Sequence, residues 1–219
     1  MSKSLAVALC LIGVGVSAQS RAPSPAHYQS GGVPALPALA VAGGEVMLEV
    51  DVAADGRVAS VTPLRVTPPF TDAVVNAVRG WRFQPAEQDA PLRPGQTGKP
   101  PRVPVPSKVL VAAVFRAPAL TGPTLGQLPA EVRAASAEVA FPLATTIPSF
   151  PPNARGSGVV LLEGKVDGAG AVTSSRVIRS AAAFDDPARQ ALQQWRFRPA
   201  RRAANVYVIF GFPEPIVQR

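Results

Sequence analysis

The chain has 219 residues, with 22 lysines and arginines against 14 aspartates and glutamates, a formal net charge of +8. One cysteine excludes a disulfide framework and one histidine leaves little for metal or acid–base chemistry, so stability has to come from a buried core. With 47% hydrophobic residues but 25 prolines and 18 glycines, that core is one large or two small ones, with much of the backbone in turns and extended connections.

The first segment, MSKSLAVALCLIGVGVSAQS, places Lys3 before an apolar run from Leu5 to Val16 and ends it at Val16-Ser17-Ala18. Residues 1–18 are therefore expected to be a secretory signal peptide cut after Ala18, giving an exported protein. The run is about 12 residues, whereas a helix crossing a bilayer needs roughly 20, so an uncleaved inner-membrane anchor is the lesser alternative. Cys10 lies inside the run in the wrong company for a lipoprotein site, and the mature chain has no cysteine. Export, and basic residues scattered without aromatic interleaving, argue against nucleic acid; anionic envelope material is the expected long-range counterpart of the charge.

The next feature is a repeat. WRFQPA at 81–86 returns as WRFRPA at 195–200, and a shift of 114 positions aligns Val33–Ala86 with Ile147–Ala200 without a gap, at 20 identities over 54 positions. That density means duplication. VPALP and IPSFP fix an extended start to each copy. EVMLEVDV (45–52) and VVLLEGKV (159–166) alternate with period two, which predicts strands with one face in the core and Gly164 as a gap in that face. Turns follow at AADG (53–56) and DGAG (167–170), and then second strands over 57–66 and 171–180, so each copy opens with a hairpin.

The period then changes. Asp72 and Asp186 read as helix N-caps, the latter with Pro187 at the first helical position. Val74, Ala77, Val78 and Trp81, and likewise Ala188, Ala191, Leu192 and Trp195, follow helical spacing. Trp81 and Trp195 are thus the last rungs of buried stripes, Phe83 and Phe197 join the core beyond them, and Pro85 and Pro199 end the helices. Third strands, KVLVAAVF (108–115) and NVYVIFGF (205–212), close the copies, the first after a long loop over 87–107. The expected fold class is α+β: two tandem small domains, 28–118 and 137–215 with a linker at 119–136, each a three-stranded antiparallel sheet with one helix on a face.

This order of elements, with the alternating strand, the glycine turn and the ending A-x-x-x-W-R-F-x-P-A, resembles the C-terminal domain family of TonB, the energy transducer of bacterial outer-membrane transport. The resemblance covers both copies. It implies a periplasmic domain whose last strand offers an open edge to a peptide strand from an outer-membrane receptor or another envelope protein; separately, the chain carries no phosphate loop, metal spacing or nucleophile elbow, so no enzyme is expected. On that reading the partner-binding edges are Val109, Val111, Ala113 and Phe115 in copy one and Val206, Tyr207, Val208, Ile209 and Phe210 in copy two. A cleaved leader and a short stretch from Ala18 to Val33 leave the binding half of the transducer's activity expected and the energy-coupling half not. The alternative is a structural envelope protein whose two copies pair these edges with each other and whose basic surface holds peptidoglycan or membrane; an enzyme with a hidden site comes third.

Among the remaining residues, Arg196, Arg198, Arg201 and Arg202 form a basic cluster that is either an anionic-partner site or a solvated helix end. His27 reads as a surface-loop residue, and Glu49 and Glu163 as solvated residues on the polar faces of their strands. Ser174-Ser175 has no nucleophile motif around it. No cofactor and no metal site is expected.

Overall fold

The computed structural model describes residues 21–37, 42–94, 96–118, 125–127, 135–200 and 202–215. The leader at 1–18, most of the linker and Arg201 lie outside these residues. No helix among the described residues is long and apolar enough to cross a membrane.

In chain order the elements are β1 (His27–Ser30), β2 (Gly44–Val52), β3 (Val58–Arg65), α1 (Phe70–Arg79), β4 (Arg82–Gln84), β5 (Ala86–Asp89), β6 (Arg102–Val105) and β7 (Ser107–Phe115). The second half adds β8 (Leu125–Gln127), β9 (Pro142–Thr146), β10 (Gly158–Val166), β11 (Val172–Arg179), α2 (Asp185–Gln194), β12 (Arg196–Phe197) and β13 (Ala204–Phe212). The hairpins, helices and third strands fall where period and turn chemistry place them. Gly56 and Gly170 hold the hairpin turns at φ +80° and +86°, and a Cβ on either would lie about 2 Å from the carbonyl oxygen of Phe83 or Phe197. Only glycine lets the turn lie so close to the WRF backbone.

Two local expectations change. The helices start without side-chain caps: Asp72 sits within the first turn of α1, and α2 begins at Asp185, whose carboxylate accepts the Ala181 N–H at 3.0 Å, rather than at Asp186 and Pro187. The long loop of copy one contains a two-stranded ribbon, β5 paired with β6, because Ala86–Asp89 and Arg102–Val105 satisfy each other's backbone groups.

Each copy builds its three-stranded antiparallel sheet, and the two sheets are continuous. The strand order is β11-β10-β13-β7-β2-β3, with β13 and β7 parallel at the centre. Helix α1 covers one face with Phe70, Val74 and Val78 on Val46, Leu48, Val50 and Val52. Helix α2 covers the other with Ala188, Ala191 and Leu192 on Val160, Leu162 and Val166. Leu192 also fills the gap at Gly164: a Cβ there would meet the Leu192 side chain at 3.2 Å, whereas copy one has the smaller Val78 against Val50.

Opposite faces follow from the pairing. Equivalent strands side by side and parallel are related by a two-fold axis lying in the sheet along the strands, and such an axis turns the sheet over. Equivalent residues must then point to opposite faces, which requires a register slipped by an odd number of residues. Val206, the equivalent of Val109, pairs with Leu110, one residue on, and Val109 and Val206 lie in different cores.

Candidate partner-binding site

Val109, Val111, Ala113 and Phe115 pack in the α1-side core with Tyr207 and Ile209, and Val206, Val208 and Phe210 pack in the α2-side core. All are buried. Of the two arrangements left open for the third strands, the structure has the paired one: Val206–Gly211 ladders onto Leu110–Phe115 on one side of β13, and β10 takes the other. Neither strand is an open edge, which corrects the expectation that these residues face a partner directly. The reason is area: each third strand is apolar on both faces, and only a neighbour on each side removes both its backbone groups and its side chains from water.

Trp81 and Trp195 are fully buried, as their helical spacing predicts, and each does a second job. The indole N–H of Trp81 donates to the Gly32 carbonyl at 2.8 Å, and that of Trp195 to the equivalent Thr146 carbonyl at 3.1 Å. The WRF unit therefore ties down the segment that leads into its own copy, a role reinforced where β4 pairs with β1 and β12 with β9. Phe83 and Phe197 are buried beside the tryptophans.

Those leading segments then cross to the other copy, and the two glutamates read as solvated are found beneath them. Glu49 is 8% and Glu163 5% exposed. Glu49 accepts from the Lys108 ammonium at 2.8 Å and from the Ser136 N–H, in the segment leading copy two, at 2.8 Å. Glu163 accepts from Arg176 at 2.5 Å and from Asn205 at 3.1 Å, and its Oε1 lies 3.0 Å from Nδ1 of His27, in the segment leading copy one. The Tyr207 hydroxyl, which accepts the Tyr28 N–H at 3.0 Å, lies 3.1 Å from the same oxygen. His27 is thus a bridge between copies rather than a free loop residue. Burial alone would raise both carboxyl pKa values, but the bonds and charge of Lys108 and Ser136 on Glu49, and of Arg176 and His27 on Glu163, outweigh it and hold both below the usual carboxylate range. Burial, and then the Glu163 charge, push the Tyr207 phenol well above its ordinary value.

Two arginines of the basic cluster bond backbone carbonyls. Arg196 donates to the Trp195 and Gln193 carbonyls at the end of α2, and Arg198 donates to the Ser136 and Val139 carbonyls at 2.5 and 3.1 Å. Arg202 is exposed, and Arg201 is not among the described residues. What the fold does leave open is its two outer strands, β3 and β11. Against β11 lies a cleft of about 340 Å³ lined by His27, Glu163, Lys165, Ser174, Ser175 and Arg176. Among the described residues no group of three or more His, Cys, Asp or Glu could hold a metal ion.

The duplicated hairpin, helix and WRF unit match a family described as Gram-negative bacterial TonB protein C-terminal, over residues 34–97 and again over 148–213. The chain belongs to the TonB C-terminal family. Two matches covering more than half of the chain confirm the resemblance and identify it as an envelope protein-interaction module of the TonB type, a family of non-enzymatic domains. No curated protein and no solved structure matched the chain.

Proposed function

We propose that the two TonB C-terminal copies act as one fused interaction unit in the periplasm, engaging an outer-membrane transport receptor or another envelope protein from the outside of the joined sheet. The observation that carries this reading is the parallel β7–β13 seam, which occupies the strands where a single open copy would accept a receptor peptide. Binding comes from the first sequence reading and mutual pairing from the second. The engagement of Arg198 by the Ser136 and Val139 carbonyls weighs against a surface built to hold wall polymer.

Hydrogen exchange on the mature protein, with and without envelope extract, tests the seam. Amides of 110–115 and 206–211 are expected to exchange at the slowest rates in the molecule and to be unchanged by partners. Rapid exchange in either strand, or partner-dependent protection confined to them, would restore the open-edge mode. Export is checked separately: mass spectrometry of the periplasmic fraction is expected to find an N-terminus at or near Gln19.

A further inference from the structure

The duplication supplies an internal comparison for the two outer strands. β3 and β11 are equivalent, and each is paired on one side only. Opposite Leu48, β3 carries Pro63; opposite Leu162, β11 carries Val177 in the same place. Proline has no N–H to offer and is one of the ways a sheet edge is protected from further pairing. Strand β11 contains no proline, so copy one's edge is guarded at a position where copy two's is not.

The charges diverge in the same direction. On the face turned away from its own helix, copy one has Asp51, held by Lys108 and Ser60, next to Thr62. In copy two these positions are Lys165, which is exposed, and Arg176, whose side chain is 62% exposed although it bonds Glu163. Arg65 pairs with Glu45 at 3.3 Å, whereas its equivalent Arg179 faces a chain in which Val159 stands for Glu45. Three cations and one carboxylate thus line the unguarded edge, and the cleft bounded by Lys165, Ser174 and Arg176 opens beside it.

We propose that β11 accepts a further strand, an extended acidic segment of a partner protein. Its glutamates or aspartates lie on the side of Ser174 and Arg176, where the cleft and Lys165 receive them, and its β-branched residues lie on the side of Ser175 and the half-buried Val177. This rests on the protein-interaction reading above and places the contact on that unit. A second copy of the chain is the poorer occupant, because two β11 edges meeting antiparallel would set Arg176 and Arg179 of one copy against those of the other.

The probe is a ten-residue peptide alternating glutamate with valine and threonine, with a lysine-for-glutamate version as control, titrated into the mature protein by fluorescence anisotropy and followed by hydrogen exchange. The acidic peptide is expected to bind, to protect amides within 173–179, and to weaken steeply with salt; the lysine version is expected not to bind. Val177→Pro should weaken binding about tenfold or more while the protein stays folded, since Pro63 occupies this position in copy one. If Val177→Pro does not fold, the charge-reversed pair Lys165→Glu with Arg179→Glu decides, with the same loss expected. Equal binding to the folded variants, or no binding at all with the seam still protected, overturns this inference and leaves the fused unit standing. Wild-type dimers abolished by Val177→Pro overturn it in favour of a second copy. Peptide-induced protection at 110–115 or 206–211 overturns the fused-unit reading as well.

Discussion

Trp195 joins three requirements in one side chain: it fills the core under α2, packs edge-on against Phe210 at 5.9 Å between ring centres, and bonds the Thr146 carbonyl. Trp195→Ala would therefore open a cavity and free the leading segment together. A loss of about 3–5 kcal/mol is expected, as for other core aromatic truncations, and urea unfolding of the variant measures it. Glu163 behaves differently, because its contribution depends on charge. Its folded-state pKa is depressed, so its stabilisation is present above the unfolded value of about 4.3 and is lost as pH falls through the folded value. Glu163→Gln removes the charge but keeps the shape. It is expected to cost about 1–3 kcal/mol at neutral pH and to give a melting temperature that falls less steeply than that expected of wild type as the pH drops below about 5.

At the level of elements, what could be read from the residues was whatever is periodic and local. Hairpins, helices and the buried tryptophans follow from spacing within each copy. The polar face of β2 and β10 is covered rather than solvated, and the sequence does not show this, because alternation reports which residues share a face but not what covers it. Glu49 and Glu163 are covered by segments of the other copy, about a hundred residues away in sequence. The seam had a signal that alternation alone does not weigh: VLVAAVF and VYVIFGF are apolar without interruption, the pattern of strands buried on both faces. The same contrast predicts how proline behaves along the chain. Val208→Pro removes a donor between two partners at the centre of the sheet, and a cost above about 3 kcal/mol is expected, a large fraction of the roughly 5–15 kcal/mol that holds a domain folded. A circular dichroism melt retaining most of the wild-type midpoint would place β13 at an edge after all.

In the whole molecule, the axis through the seam makes each copy the roof of the other: Ala26–Tyr28 lie over copy two, and Ser136 and Thr145 reach Glu49 and Glu45 of copy one. Joined at β7 and β13, the sheet keeps two edges rather than four, and the duplication has left those two unlike each other. The seam also shapes assembly. Its two strands are separated by about a hundred residues, so they meet late, after a slow long-range loop closure, while the local hairpins form early. During that interval a folded first copy exposes a bare strand for which the second copy of any neighbouring chain is as good a partner as its own. Refolding from denaturant at high protein concentration should accordingly yield domain-swapped dimers, resolved by size exclusion, that convert to monomers only on unfolding, while dilute refolding gives monomer alone.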